Sequence, residues 1–305
     1  FPDRLMEDHV FEDGSFLSTQ DIQNFLEMNP YGKRSYLAGY TENGLLASEL
    51  IADAAEYYRI NPLVLLTKLQ VETSLIYAHE EPIAALMQRA LGCGCPDTSA
   101  GCDPNEQGFG EQIRCGAQYF RSYMDRLSTV GTTISGWGVG MEKSTSDGIF
   151  VTPQNKATAA LYTYTPWVLE NTGGNWLYRN IYLKFSRHLF ANNPNRHWIG
   201  GSCTTDASCS FENGLCLGVK TSETATGYCS QPCEEYCPES NAPYTSGTYC
   251  TNMESDSAID SEGWCLAKCD TSLFPTNSGC AIGFQCTRVE RVGNPLAMAD
   301  VCWPD

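Results

Sequence analysis

Cysteine is the residue that most constrains how this chain can fold. The sequence of 305 residues contains 16 cysteines, and twelve of them lie after residue 200. An even and high cysteine count is typical of a disulfide-stapled protein from an oxidising compartment. A segment this rich in cysteine buries little apolar surface, so disulfides supply much of its stability. We therefore expect a small disulfide-rich domain, irregular or built of short strands, at the C-terminal end.

Some of these cysteines also have the spacing of zinc ligands. Three residues separate Cys229 from Cys233 and Cys233 from Cys237. The same spacing separates Cys265 from Cys269. Short spacings of this kind occur in structural zinc sites. The even count and the absence of histidine after His197 favour disulfides, so we expect neither a metal nor a cofactor. The twelve cysteines suggest two related halves, and their connectivity is not readable from sequence.

The first 200 residues have a different character and are dominated by helical patterns. Asn61 followed by Pro62 is a typical helix start, since Asn caps and Pro fits the first position. A turn-rich segment at 191–201 precedes the change in composition. We predict two domains, a mainly α domain over residues 1–198 and a cysteine-rich domain over residues 199–305.

The chain is acidic along its whole length, with a formal net charge of −17. Residues 201–305 alone carry 14 acidic and four basic side chains. Such a surface repels nucleic acid and anionic lipid, so we expect no nucleic-acid partner. No apolar run is long enough to span a membrane, and no signal peptide precedes Phe1, as in a mature exported protein. The predicted location is secreted, periplasmic or at the cell surface.

One carboxylate lies within a strongly apolar helical segment, residues 61–76. On a period of 3.6 residues, Glu72 shares a stripe with Leu65 and Leu69. A carboxylate on a core-facing stripe is either paired or protonated. Lys68, four residues earlier, offers an ordinary helix pair in the weaker orientation. Two interpretations stay open at this point, a structural ion pair and a general acid that protonates a leaving oxygen.

Short motifs around and after Glu72 occur in a recognisable order. They are "VETS" at 71–74, "LGCGCPDT" at 91–98, "GFGEQI" at 108–113 and "ATAALYTYTPW" at 157–167. Together they resemble the lysozyme-like superfamily, which includes soluble lytic transglycosylases and goose-type lysozymes. The resemblance covers roughly residues 15–190 and is closer to exported bacterial members, such as the deacetylation-specific lysozyme of predatory bacteria. It implies a lysozyme-like fold for the mainly α domain, residues 1–198, and activity on the MurNAc–GlcNAc β-1,4 bond of peptidoglycan.

The same resemblance implies roles for individual residues. Glu72 would be the general acid, and Tyr162 or Tyr164 would hydrogen-bond its carboxyl group or line the cleft. Gln112 and Phe109, from the third motif, would contribute to substrate binding. We assign Tyr162 to the catalytic group and Tyr164 to the substrate contacts.

A hydrolase of this type uses a second carboxylate about 5–9.5 Å from the first. The candidates are Asp97, Asp103, Glu106 and Glu111. We assign Asp97 to the catalytic pair and Asp103 to substrate binding, while turn capping is an equally good interpretation of both aspartates. Glu111 lies near a helix start, where the helix dipole favours an acid in any case.

Two disulfides are expected to hold the loop that carries these aspartates. Cys93 and Cys95 are too close in sequence to bridge each other comfortably. Bridges from these two to Cys102 and Cys115 would staple the glycine-rich loop to the following helix. A loop held in this way suits the wall of a substrate cleft.

These features lead to one functional prediction and two alternatives. The prediction is an exported muramidase with Glu72 as general acid, and the acidic surface favours glycan whose amines are free after deacetylation. The first alternative is a lytic transglycosylase, which gives 1,6-anhydro products. The second is a cell-wall or protein-binding protein without activity. The ligand of the cysteine-rich domain is not readable from the sequence.

Overall fold

The chain divides into two compact units in the computed structural model. The first comprises Phe1–Asn29 and Lys33–Tyr182, and the second Pro30–Gly32 and Leu183–Asp305. The structure describes residues 1–95, 102–192, 198–218, 227–238, 247–253, 263–269, 280 and 284–304. The first unit is mainly helical and the second carries short antiparallel strands and disulfides, as predicted. The predicted domain boundary at residue 198 stays a prediction.

Eight α-helices occur among the described residues. They are α1 (Asp8–Phe11), α2 (Thr19–Glu27), α3 (Ala47–Tyr58), α4 (Pro62–Thr73), α5 (Ala84–Gln88), α6 (Phe109–Thr129), α7 (Lys156–Tyr164) and α8 (Gly174–Asn192). Two short antiparallel pairs connect helices of the first unit: β1 (Thr41–Glu42) with β2 (Leu45–Leu46), and β3 (Lys143–Ser144) with β4 (Phe150–Val151). No described helix is long and apolar enough to cross a membrane.

Helix α4 lies in the core of the first unit. Asn61 caps its start by accepting a hydrogen bond from the backbone N–H of Leu63 at 2.8 Å, and Pro62 occupies the first position. Every residue from Pro62 to Gln70 is buried. The helix ends at Thr73, because Ser74 adopts the left-handed conformation with a φ of 56°. Only the last turn of α4 therefore approaches solvent.

Glu72 lies in that last turn and does not face the core, so the predicted stripe is wrong at this position. Its side chain is 30% exposed, whereas Leu65 and Leu69 are fully buried. The 3.6-residue period fails here because α4 is enclosed on all sides over most of its length. A helix surrounded by protein has no apolar face for the period to reveal. The charged side chain that α4 contributes to the core is Lys68.

Helix α6 is long and packs against α3 and α7. Its buried face follows the helical period, with Ile113, Ala117, Phe120 and Met124 all inside. Two disulfides hold the preceding loop, Cys93–Cys115 and Cys95–Cys102. The prediction that Cys93 and Cys95 bridge to Cys102 and Cys115 is confirmed. The first bridge ties the loop directly to α6.

All 16 cysteines are paired, which confirms the disulfide prediction. The bridges of the second unit are Cys203–Cys216, Cys209–Cys229, Cys233–Cys250, Cys237–Cys265, Cys269–Cys286 and Cys280–Cys302. Each successive group of four cysteines has the same connectivity, first to third and second to fourth. The predicted two halves are therefore wrong, and the segment contains three four-cysteine modules.

The three modules share one strand arrangement. Their strands are β5 (Ser202–Cys203), β6 (Leu215–Leu217), β7 (Gly227–Ser230), β8 (Pro232–Cys233), β9 (Thr248–Thr251), β10 (Gly263–Ala267), β11 (Phe284–Arg291) and β12 (Asn294–Pro304). The first module has the order β5-β7-β6 and the second β8-β10-β9. In the third, a bridge from Lys268 to Val301 places the entering chain beside the β11–β12 hairpin. The last strand is central in every module.

The register of the cysteines also repeats. The third and fourth cysteines of each module face each other on adjacent antiparallel strands. In the first two modules the residue two positions before the fourth cysteine is glycine, Gly227 and Gly263. A Cβ atom there would lie 2.7 Å from the sulfur of Cys216 and 2.8 Å from that of Cys250. The glycines let the strands approach closely around the packed sulfur atoms.

Candidate functional site

Four side chains from α4, α7 and the residue after α7 form a polar cluster around Glu72. Lys68 Nζ makes an ion pair with Glu72 Oε1 and donates a hydrogen bond to Thr165 Oγ1 at 2.8 Å. The same Nζ lies 4.4 Å from the centroid of the Tyr164 ring. We call Lys68, Glu72, Tyr164 and Thr165 the Glu72 cluster. Its cation is enclosed by a carboxylate, a hydroxyl and an aromatic face.

The two ends of the ion pair lie in different surroundings. The Lys68 side chain is 2% exposed and the Glu72 side chain 30% exposed. Burial lowers the pKa of the Lys68 ammonium, while the nearby Glu72 carboxylate acts in the opposite direction. The pair is therefore buried at its cationic end and open to solvent at its acidic end.

Tyr164 is fixed within the cluster at both ends. Its hydroxyl donates a hydrogen bond to the carbonyl oxygen of Leu91 at 2.9 Å. Its ring stacks on Phe120 with 4.8 Å between centroids. Burial raises the pKa of Tyr164 well above its ordinary value, and the charge of Glu72 raises it further. The hydroxyl of Tyr164 thus stays neutral, and its fixed ring contributes the aromatic face of the cluster.

Two further tyrosines, from α6, lie near the ring of Tyr164. Tyr119 is exposed, and its ring centroid lies 6.1 Å from that of Tyr123. Tyr123 in turn contacts Phe120 edge to face at 6.4 Å. Burial raises the pKa of Tyr123 to about 12. Exposed and half-buried tyrosines of this kind present apolar faces together with polar hydroxyls.

Gln112 occupies a buried position behind the cluster. Its Oε1 accepts hydrogen bonds from the backbone N–H groups of Leu91 at 3.1 Å and Cys93 at 3.0 Å. Its Nε2 donates to the carbonyl oxygens of Cys93 and Glu106, both at 2.6 Å. These four bonds use the whole capacity of the amide. Gln112 therefore holds the stapled loop on α6, and through Leu91 it also positions the acceptor of Tyr164.

Phe109 lies in the core at the start of α6. Its ring is fully buried and contacts Tyr40 edge to face at 5.4 Å. The backbone N–H groups of Phe109 and Gly110 donate to the Glu42 carboxylate at 3.1 and 3.0 Å. Glu42 thereby caps α6 and compensates its free N–H groups. This position gives Phe109 a structural role and no exposed surface for a substrate.

Tyr162 is directed away from Tyr164, although both lie near the end of α7. It is fully buried, stacks on Trp137 with 5.0 Å between centroids, and donates its hydroxyl to Pro2 O at 3.3 Å. Residues two apart on a helix project on nearly opposite sides. The structure thus brings Tyr164, and not Tyr162, into the Glu72 cluster.

The predicted aspartates are not part of the described cluster. Asp97 lies outside the described residues. Asp103 is exposed and accepts a hydrogen bond from the backbone N–H of Asn105 at 2.9 Å, which caps the short 3-10 helix Pro104–Glu106. This contact corresponds to the turn-capping interpretation.

The remaining two candidate carboxylates share one arginine. Arg114 pairs with Glu106 at 3.2 Å and with Glu111 at 2.7 Å. Within the described part of the chain, the contacts of Glu72 and Lys68 include no second carboxylate.

Sequence reasoning gave too little weight to Lys68 and missed Thr165. One signal for Lys68 was available, because it interrupts the apolar run "LVLLTKLQ" in the middle. A lysine with apolar residues on every side has no solvated face and needs a specific partner. Thr165 directly follows Tyr164, and nothing in its local sequence indicates a contact with α4.

Comparisons with protein-family models, curated proteins and solved structures give no match for this chain.

Proposed function

We propose that this protein is an exported muramidase, a glycoside hydrolase that cleaves the MurNAc–GlcNAc β-1,4 bond with Glu72 as general acid. The observation that carries the proposal is the position of Glu72. Its carboxylate emerges from the last turn of the buried helix α4, is reachable from solvent, and is held by a side chain of the core. A general acid must reach the leaving oxygen from a rigid support.

The arrangement of the motifs supports the proposal. The motif "VETS" carries Glu72, and "ATAALYTYTPW" carries Tyr164. "LGCGCPDT" begins with Leu91, whose carbonyl oxygen binds Tyr164, and "GFGEQI" carries Gln112, which binds the N–H of Leu91. Hydrogen bonds thus link the later motifs to Tyr164, whose ring contacts Lys68, the partner of Glu72. A lysozyme-like fold for the first unit belongs to the same proposal.

The reaction follows from the position of the acid. Glu72 gives its proton to the glycosidic oxygen as the bond from C1 to that oxygen breaks, and the electron pair of the bond stays on the oxygen. A water then attacks C1 and releases a proton to a base. Asp97 as the second carboxylate is a prediction from the motif alone. The exposed tyrosines beside Tyr164 provide ring faces for sugar binding.

The substrate and the location are inferred from charge and disulfides. Eight disulfides suit an oxidising compartment, where cell-wall material is found. The net charge of −17 favours glycan with free amines over anionic polymers. A preference for deacetylated peptidoglycan is therefore part of the proposal.

Replacing Glu72 tests the proposal. The substitution Glu72→Gln keeps the size of the side chain and removes its acid function. We expect it to lower the rate of muropeptide release from purified sacculi by about 10²–10⁴-fold, the usual contribution of general acid–base catalysis. Glu80→Gln is the matched control, because Glu80 is nearby and its side chain is 90% exposed. Release by Glu72→Gln at the wild-type rate would contradict the proposal, as would a wild-type protein that releases nothing.

A further inference from the structure

Lys68 is a buried charge whose presence packing does not explain. It lies in the core part of α4, where every residue from Pro62 to Gln70 is buried. A buried ion pair is often no more stable than apolar residues of similar volume in place of both partners. Stability alone therefore does not call for an ion pair at this position. The charge suggests a functional task, and the partner of that charge is Glu72.

We propose that Lys68 is a positioning residue that holds Glu72 as a carboxylate in the open site and supplies its proton when a glycan covers the cluster. This inference rests on the proposed function and explains how a partly exposed, ion-paired carboxylate becomes an acid. It concerns the two atoms already in contact, Lys68 Nζ and Glu72 Oε1.

The physical basis is the unequal exposure of the pair. In water a lysine and a glutamate are both charged, whereas a dry site favours the neutral amine and the neutral acid. Full burial is documented to bring a lysine pKa to about 5–6 and a glutamic acid pKa to about 8–9, which inverts their order. Lys68 is already buried, and burial lowers its pKa. A sugar ring over Glu72 would remove the remaining water from the pair.

The proton balance closes over one turnover. The proton leaves Lys68 Nζ and joins Glu72 Oε1, which leaves an amine and a carboxylic acid with no change in net charge. Glu72 gives this proton to the glycosidic oxygen as the C1–O bond breaks, and its carboxylate is restored. The attacking water places its hydroxyl on C1 and releases one proton. That proton goes to the base and then to solvent, and the amine of Lys68 takes up one proton from solvent when the product leaves.

The titratable side chain in contact with the pair is Tyr164, whose ring lies against Lys68 Nζ. Tyr119 and Tyr123 of α6 interact in turn with Tyr164. Burial raises the pKa of Tyr164 well above its ordinary value and that of Tyr123 to about 12. Among the described residues, the pH dependence of the cluster below pH 10 is thus that of the Lys68–Glu72 pair.

Two substitutions of Lys68 separate proton supply from charge and packing. Lys68→Arg keeps a positive charge that is not released in proteins, so Glu72 stays ionised. We expect kcat to fall by about 10²-fold or more, with little change in KM. Lys68→Met fills the space without a charge and leaves Glu72 as the only proton site.

If Lys68 were only structural, its replacement by Met would not change how kcat depends on pH. The pH profile of Lys68→Met therefore tests proton supply. In the wild type the pair shares a proton and loses it at a pH that belongs to both groups. Without the lysine the pair has lost its ammonium, and ammonium groups generally hold a proton to higher pH than carboxyl groups do. The basic limb of kcat therefore moves to lower pH. Wild-type kcat in Lys68→Arg, or an unchanged pH profile in Lys68→Met, would overturn the inference.

A measurement on the wild-type protein covers the case in which arginine does not fit. With ¹⁵N-labelled lysine, the Nζ resonance that responds to Glu72→Gln identifies Lys68. Saturation with the fragments left after exhaustive sacculus digestion should convert this resonance from an ammonium to an amine. An ammonium resonance that persists at saturation would overturn the inference. Activity that survives Glu72→Gln would instead reject the proposed function, so the two failures are distinguishable.

Discussion

Lys68 and Glu72 are one helical turn apart on α4, yet the first belongs to the core and the second to the surface. The ammonium of Lys68 is surrounded by Glu72, Thr165 and the ring of Tyr164. The contact between Lys68 and Glu72 therefore links a side chain of the core to a carboxylate that solvent can reach. A pair built in this way can exchange a proton without moving the backbone, which suits acid catalysis.

The two tyrosines of α7 allow a matched comparison. Tyr164→Phe removes the hydrogen bond to Leu91, and Tyr162→Phe removes the one to Pro2. We expect each substitution to lower the free energy of unfolding by about 0.5–1.5 kcal/mol, as for an ordinary hydrogen bond. Only Tyr164→Phe should reduce muropeptide release, because only Tyr164 belongs to the Glu72 cluster. Urea denaturation and release assays on both variants check this, and a larger activity loss in Tyr162→Phe would reverse the assignment.

Alkaline pH should affect the folded state through Tyr164. Burial raises its pKa in the folded protein above the value of about 10 in the unfolded chain. The folded state then binds more protons than the unfolded state above pH 10, so stability is complete below this pH and falls as pH rises further. Measured free energies of unfolding should therefore decline less steeply above pH 10 in Tyr164→Phe than in the wild type. Equal slopes would show that Tyr164 titrates normally.

Gln112 is expected to be essential for stability rather than for substrate contact. The variant Gln112→Met keeps the volume and leaves four backbone groups without their partner. Each unsatisfied buried group costs about 1–3 kcal/mol, so the free energy of unfolding should fall by at least about 3 kcal/mol. Gln118→Met on the exposed side of α6 serves as the control. A stable Gln112→Met protein with impaired substrate binding would favour the substrate-contact role.

The sequence predicted elements whose determinants are local. The start of α4 is specified by Asn61 and Pro62, because capping and a fixed φ act within one turn. That Cys93 and Cys95 bridge to Cys102 and Cys115 followed from their closeness in sequence, which disfavours a Cys93–Cys95 bridge. Both inferences need only neighbouring residues and covalent geometry.

Features that depend on enclosure by other elements were not predictable. The apolar neighbours of Lys68 indicate that it needs a partner, but the sequence of α4 does not show that Thr165 and the ring of Tyr164 lie against its ammonium. Nor does it show that the side of α7 that faces α4 selects Tyr164 over Tyr162. The three modules were hidden because the spacing of cysteines varies within them. The constant feature is the three-residue segment between successive modules, from Cys229 to Cys233 and from Cys265 to Cys269. This spacing is the one that resembles a zinc site.

Chelation and reduction distinguish cystine modules from zinc sites. With all 16 cysteines in disulfides, no thiolate is left for a metal. We expect a chelator to leave the midpoint temperature of unfolding unchanged. A reductant should lower this temperature markedly, since each lost bridge costs about 2–5 kcal/mol. Partial reduction followed by peptide mapping should give first-to-third and second-to-fourth pairs in each module. Metal release on unfolding, or free thiols in the native protein, would contradict this structure.

The most direct test of the central claim is the chemistry of the ends released from peptidoglycan. Purified sacculi are digested in ¹⁸O-labelled water with wild type, Glu72→Gln and Glu80→Gln, and the muropeptides are analysed by mass spectrometry. We expect MurNAc reducing ends that carry one ¹⁸O atom with the wild type and Glu80→Gln, and their loss with Glu72→Gln. Products with 1,6-anhydro ends would exclude simple hydrolysis, and unchanged ¹⁸O-labelled ends from Glu72→Gln would exclude Glu72 as the acid.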